Sequence, residues 1–263
     1  MAQRRSTTSA AEGARPVARR ARSALHALAD AGRAALSARF FKTGRGEYGE
    51  GDRFLGVPVP AVRRLARQYR ELSVAQCRVL LASPYNEERL LALLVLVGHY
   101  ERGGEPQRRA ITRAYLASRR RVNNWNLVDS SAPYILGPQL RDRPRQLLDR
   151  LAASRSQWDR RIAMLASFAF IRDGDYSTTL RLAERLLGDP EDLLHKACGW
   201  MLREVGKRDE AVLEAFLGRH YARMPRTMLR YAIERLPPAR RRAWLAGKAA
   251  TPVNRKRGAA LLS

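Results

Sequence analysis

Acidic residues are scarce in this chain: 25 Asp and Glu stand against 50 Lys and Arg, a formal net charge of +25. Such an imbalance points to a polyanion as partner, nucleic acid before an anionic membrane surface. Lysine is scarce as well, occurring only at Lys42, Lys196, Lys207, Lys248 and Lys256. Codon usage alone can favour arginine over lysine, but it does not explain the shortage of acids. Cysteine occurs twice, Cys77 and Cys198, far apart and each in an apolar segment. That spacing supports neither a disulfide framework nor a cysteine metal knuckle, and a reduced, bacterial-type cytoplasm is the expected compartment. Long apolar runs are missing too. The longest, Leu90 to Gly98, is far short of the ~20 residues that span a bilayer, so no membrane role is expected.

Other absences narrow the chemistry. His26, His99, His195 and His220 are scattered without the paired helical spacing of a metal site. The glycines between Gly44 and Gly56 lack a following Lys-Ser/Thr and a flanking strand, which excludes a phosphate-binding loop of the nucleotide-hydrolase type. Neither a metal nor a cofactor is expected.

Alternation of period two is nearly absent, whereas apolar residues recur at spacings of three and four between turn signals. The chain therefore reads as all-helical. The spacing predicts helices over Val17 to Phe41, Glu87 to Arg102, Trp125 to Leu136, Trp158 to Arg172 and Asp192 to Val205, among others. Pro60 and Pro106 suit first helical turns, and Ser73 and Asp209 suit caps. Lys42 to Pro58 holds too many glycines for a helix and reads as a long, functional loop. Residues 1–21 form a basic arm whose only acid is Glu12, 22–250 a single helical domain, and 251–263 a basic tail around Lys256. No exposed coiled-coil seam is evident, so a monomer is expected.

Comparable helix starts near Asn86, Asn124, Gln157 and Glu191 give a period of roughly 33 to 38 residues, the mark of a helical-hairpin solenoid. A bundle without repeats fits the same pattern, because identity between the repeats is weak. In a solenoid, equivalent helices would bring Trp125, Arg161 and Trp200 to one groove. The segment Asn-Asn-Trp-Asn-Leu-Val-Asp, Asn123 to Asp129, places an indole and a carboxylate at i and i+4 on one helical face.

These residues resemble the AlkD-like DNA alkylation repair glycosylases. The resemblance rests on Asn124 to Gly137, on Arg-Ile-Ala-Met-Leu at Arg161 to Leu165, on Lys-Ala-Cys-Gly-Trp-Met-Leu-Arg-Glu at Lys196 to Glu204, and on the passage Phe40 to Pro58. It implies an all-α superhelical solenoid of HEAT-like antiparallel helix pairs with a concave basic groove. It further implies a monofunctional enzyme of base excision repair that hydrolyses the N-glycosidic bond of N3- or N7-alkylated purines in duplex DNA. Carried over residue by residue, it makes Asp129 the catalytic carboxylate and Trp125 and Trp200 the aromatic walls beside the lesion. Arg161 and Arg203 become contacts to the DNA backbone. An N-terminal aromatic contact falls on Phe40 or Phe41, where the family has a tyrosine.

Each residue also has a plainer reading. A helical tryptophan is more often core than site, and Asp129, followed by Ser130 and Ser131, suits the holding of a neighbouring helix start. Arg161 beside Arg160 and Arg203 beside Glu204 suit solvated faces or ion pairs. Two other functions fit the same chain: a catalytically silent protein that binds branched or distorted DNA, and a scaffold for another protein. Trp158 and Trp244 read as packing residues.

Overall fold

The computed structural model describes residues 17–248; the basic tail and residues 1–16 of the N-terminal arm lie outside them. Among the described residues there is no sheet, only an isolated bridge between Arg53 and Tyr85, and the rest is helix, turn and loop. The helices are α1 (17–26), α2 (Ala31–Phe40), α3 (Val59–Gln68), α4 (Val74–Leu81), α5 (Asn86–Arg102), α6 (Glu105–Ala117), α7 (Trp125–Asp129), α8 (Leu136–Gln139), α9 (Gln146–Ala152), α10 (Gln157–Ala166), α11 (Phe168–Arg172), α12 (Ser177–Arg185), α13 (Asp192–Gly206), α14 (Glu210–His220), α15 (Arg226–Ala232) and α16 (Pro238–Leu245). None is long and apolar enough to cross a membrane. Two compact units divide at Ala169 and Phe170, inside α11.

In the first unit, helices pack as repeating pairs. α5 touches α3, α4, α6 and α7, and α10 touches α7, α8 and α9. Leu91, Leu93, Leu96, Ile111, Leu127 and Ile162 are fully buried there, each contributing roughly 1.5–3 kcal/mol through loss of apolar surface to water. In the second unit α13 is central, packed by α12, α14 and α15, with Leu194, Met201, Leu202 and Met228 fully buried. All-helical architecture with repeated helix pairs is therefore the observed fold. The recurring starts also stand: α5 opens at Asn86, α7 follows Asn124, α10 opens at Gln157 and α13 follows Glu191.

The caps explain several boundaries. Ser73 and Gln76 form a reciprocal capping box at α4, Asp209 accepts from the Val212 amide at 3.0 Å, and Pro60 and Pro106 sit in the first turns of α3 and α6. Three predicted helices are broken in the structure. The stretch Val17 to Phe41 is interrupted because Asp30 caps α2, accepting from the Arg33 amide at 2.8 Å, while its own amide donates to the Leu55 carbonyl. Trp125 to Leu136 stops at Asp129, since Pro133 has no N–H and disfavours helix at Ala132. Trp158 to Arg172 divides at Ser167, whose hydroxyl donates to the Met164 carbonyl at 2.7 Å.

Two glycines are required by close approach. Gly56 has φ +77°, and a Cβ there would lie 2.3 Å from the Asp30 carbonyl oxygen. At Gly199 a Cβ would meet the Met228 carbonyl oxygen and the Tyr231 Cβ, both at 2.5 Å, where α13 crosses α15. Gly199→Ala is expected to destabilise the protein by about 1–3 kcal/mol through overpacking against backbone. Urea unfolding with a midpoint equal to the wild type would contradict that packing.

Candidate active site

The loop between α2 and α3 is held in place by the first turn of α5. Glu87 accepts from three successive amides, Leu55, Gly56 and Val57, at 3.0, 2.9 and 3.3 Å. Three charge-assisted bonds to one buried carboxylate fix the loop's end without any regular secondary structure. The same loop presents Phe54, which stacks on Phe41 at a centroid distance of 4.8 Å. Phe41 in turn stacks on Trp125 at 5.0 Å, and Phe40 meets the edge of Trp125 at 5.9 Å. Phe41 is thus committed to packing, whereas Phe40, 66% exposed, is the aromatic presented to solvent. Beside them, Lys42 lies over the Tyr48 ring at 6.0 Å, and Tyr48 meets Trp158 edge-on. Trp158 is buried.

Four residues beyond Trp125, at the far end of α7, Asp129 receives both arms of a guanidinium. Arg161, from the second turn of α10, donates Nε to Oδ1 at 2.9 Å and Nη2 to Oδ2 at 2.8 Å. The Asp129 side chain is 19% exposed and that of Arg161 only 5%. A carboxylate has about four lone-pair directions, so a bidentate arginine fixes its rotamer and leaves acceptor capacity on the exposed side. Arg161, expected at the DNA backbone, here lies on Asp129. The first unit therefore brings together Phe40, Trp125, Asp129 and Arg161.

Trp200 and Arg203 belong to the second unit, three residues apart on one face of α13. Trp200 is half-buried and donates Nε1 to Glu204 Oε1 at 3.3 Å. Arg203 is ion-paired with Glu234.

A groove of about 530 Å³ opens on the first unit between α3 and α5, bordered by Arg63, Arg67, Arg70, Arg102, Ser130 and Tyr134. The four arginines are exposed; Arg63 and Arg67 stand one turn apart on α3, and Arg70 follows just past its end. Ser130 connects the groove wall to Asp129.

Sequence reasoning missed the polar cluster under α7. Asp52 and Arg89 form an ion pair with both side chains 2% exposed, and Asp52 also accepts from Asn86 and Asn124. The recurrence of Asn at two helix starts, Asn86 and Asn124, was the available signal. Nothing in the sequence pairs either with Asp52.

The first unit is thus an all-helical repeat that carries a carboxylate clamped by arginine, an aromatic cluster beside it and an arginine-rimmed groove. Residues 21–236 match the family model described as DNA alkylation repair enzyme, and the chain belongs to that family. A solved structure titled predicted DNA alkylation repair enzyme from Enterococcus faecalis is similar in fold, with a TM-score of 0.62. The two are 16% identical, and the match covers 80% of this chain and 97% of the other. No curated protein matches the chain.

Proposed function

We propose that the protein is a monofunctional DNA glycosylase that removes cationic N3- or N7-alkylated purines from duplex DNA. The observation that carries this reading is the Asp129 carboxylate, fixed by Arg161 and partly exposed, one helical turn from the Trp125 indole in a member of an alkylation repair family.

The chemistry needs little more. An alkylated purine already bears positive charge, so when the C1′–N bond breaks the ring takes the bonding pair and leaves neutral, with no general acid required. The sugar left behind has oxocarbenium character. Asp129 stabilises it and orients a water molecule, whose oxygen adds to C1′ while its proton passes to solvent. Trp125 holds the charged nucleotide; an indole face attracts a cation by about 0.5–2 kcal/mol. Arg161 sets the carboxylate's direction and adds positive charge beside the backbone, and Phe40 and Arg203 make further DNA contacts. Duplex DNA is the partner, and the protein acts as a cytoplasmic monomer without a cofactor.

The test is incubation with methylated duplex DNA and analysis of the released bases, with borohydride present in a parallel reaction. Free 3-methyladenine or 7-methylguanine without a protein–DNA adduct supports the reading. A trapped adduct that disappears in Lys42→Arg would replace it with a lyase. One observation favours a second reading, a silent protein that binds branched or distorted DNA: both carboxylate oxygens of Asp129 are already engaged by Arg161. Tight junction binding with no base released would select it.

The groove supplies a further expectation. Backbone phosphates meeting Arg63, Arg67 and Arg70 release counterions on binding, and each contact adds about 0.9 to the slope of log affinity against log salt. Replacing Arg63, Arg67 and Arg70 together by Ala should make that slope shallower by about 2–3. An unchanged slope in a salt titration of duplex binding would take the groove off the DNA path.

A further inference from the structure

We infer that Asp52 and Asn124 are positioning residues for the reaction, acting through α7; the inference rests on the glycosylase reading above. Helix α7 spans only Trp125–Asp129. A helix that short does not hold itself in water, so its partners decide where its side chains point. One end is fixed by Arg161 on Asp129. The other is fixed by Asn124, which has no exposed surface. Its Oδ1 accepts from the Trp125 amide at 2.9 Å, and its Nδ2 donates to Asp52 Oδ2 at 2.9 Å.

Asp52 is the hub beneath. The same Oδ2 accepts from Asn86 Nδ2 at 3.0 Å, and Oδ1 accepts from Arg89 Nη2 at 2.5 Å. Asn86 then exchanges amide hydrogen bonds with Asn126 on α7, at 2.7 and 3.4 Å. One buried carboxylate therefore sets the register of three pieces of chain: the α2–α3 loop that carries Phe54, the start of α5, and the start of α7. Stability alone is a poor reason for such a cluster, since well-packed apolar residues serve as well or better than a buried ion pair. What the cluster supplies is direction. It fixes Trp125 at one end of a five-residue helix whose other end is the proposed catalytic carboxylate.

The experiment is single-turnover release of 7-methylguanine at saturating protein, across pH, for the wild type, Asn124→Ser, Asn124→Asp and Glu88→Gln, with duplex affinity measured for each. Serine keeps a cap but loses the reach to Asp52; aspartate keeps the cap and sets two carboxylates against each other. Glu88 is an equally buried acid on α5, but it binds Arg22 and His26 instead. Both Asn124 variants are expected to lose roughly 10- to 100-fold in plateau rate, as a misplacement of about 1 Å does. Their pH profiles should keep the wild-type shape and their DNA affinity should stay near the wild type's, while Glu88→Gln releases base at the wild-type plateau. Wild-type rates in Asn124→Asp overturn the link to Asp52. An equal loss in Glu88→Gln reduces the effect to general destabilisation and overturns the inference. Release by the wild type with no loss in either Asn124 variant overturns the inference and leaves the glycosylase reading standing; no release by the wild type removes both.

Discussion

Asp129→Asn is expected to slow release of 7-methylguanine from a duplex by about 100-fold or more at saturating protein, the scale seen when one preorganised charge is removed from a developing transition-state charge. The change keeps the size of the side chain, so the loss reports charge rather than shape. DNA affinity should hold or rise, because a negative charge facing a polyanion is removed. Stability should fall, since Arg161 is 5% exposed and an amide replaces one of its two accepting oxygens with a donor. A slowed rate with intact binding separates the catalytic role from the plainer one, in which Asp129 only ties α7 to α10. Release at the wild-type rate would assign the chemistry elsewhere.

Asp52→Ala is expected to have the largest effect on stability, about 3–5 kcal/mol, because it leaves a buried guanidinium without its counter-charge. Arg89 has 2% of its side chain exposed, and among the described residues its Nε already lacks a hydrogen-bond partner. Burial pushes the Arg89 guanidinium below its ordinary pKa, and the neighbouring Asp52 carboxylate opposes that shift. Removing Asp52 also strips an acceptor from the amides of Asn86 and Asn124. Urea unfolding reads the loss directly. A change under about 1 kcal/mol would show that the cluster relaxes into contact with water, the behaviour of an exposed pair.

The sequence disclosed the helices through their period of three to four and the repeat through recurring starts at Asn86, Asn124, Gln157 and Glu191. It overran the breaks at Asp30, Asp129 and Ser167, because each lies inside a run that stays apolar at helical spacing while one local hydrogen bond or a following proline ends the helix. Trp125 and Asp129 could be read off as one face because their link is local. Arg161 could be named as a site residue, but not as the partner of Asp129, since a separation of 32 positions carries no signal of the pairing. The same reason hid Asp52, whose amide partner Asn124 lies 72 residues away. Phe40 and Phe41 were equivalent in sequence; only the stack of Phe41 on Trp125 separates the packing ring from the exposed one.

The most direct test is single-turnover release of 7-methylguanine from a defined duplex by the wild-type protein in excess. A single exponential that yields free base and an alkali-labile abasic site is expected, with no strand cleavage before alkali. An intact lesion after prolonged incubation, with the duplex demonstrably bound, would contradict the assignment of Asp129 as a catalytic carboxylate and leave a protein that recognises DNA without acting on it.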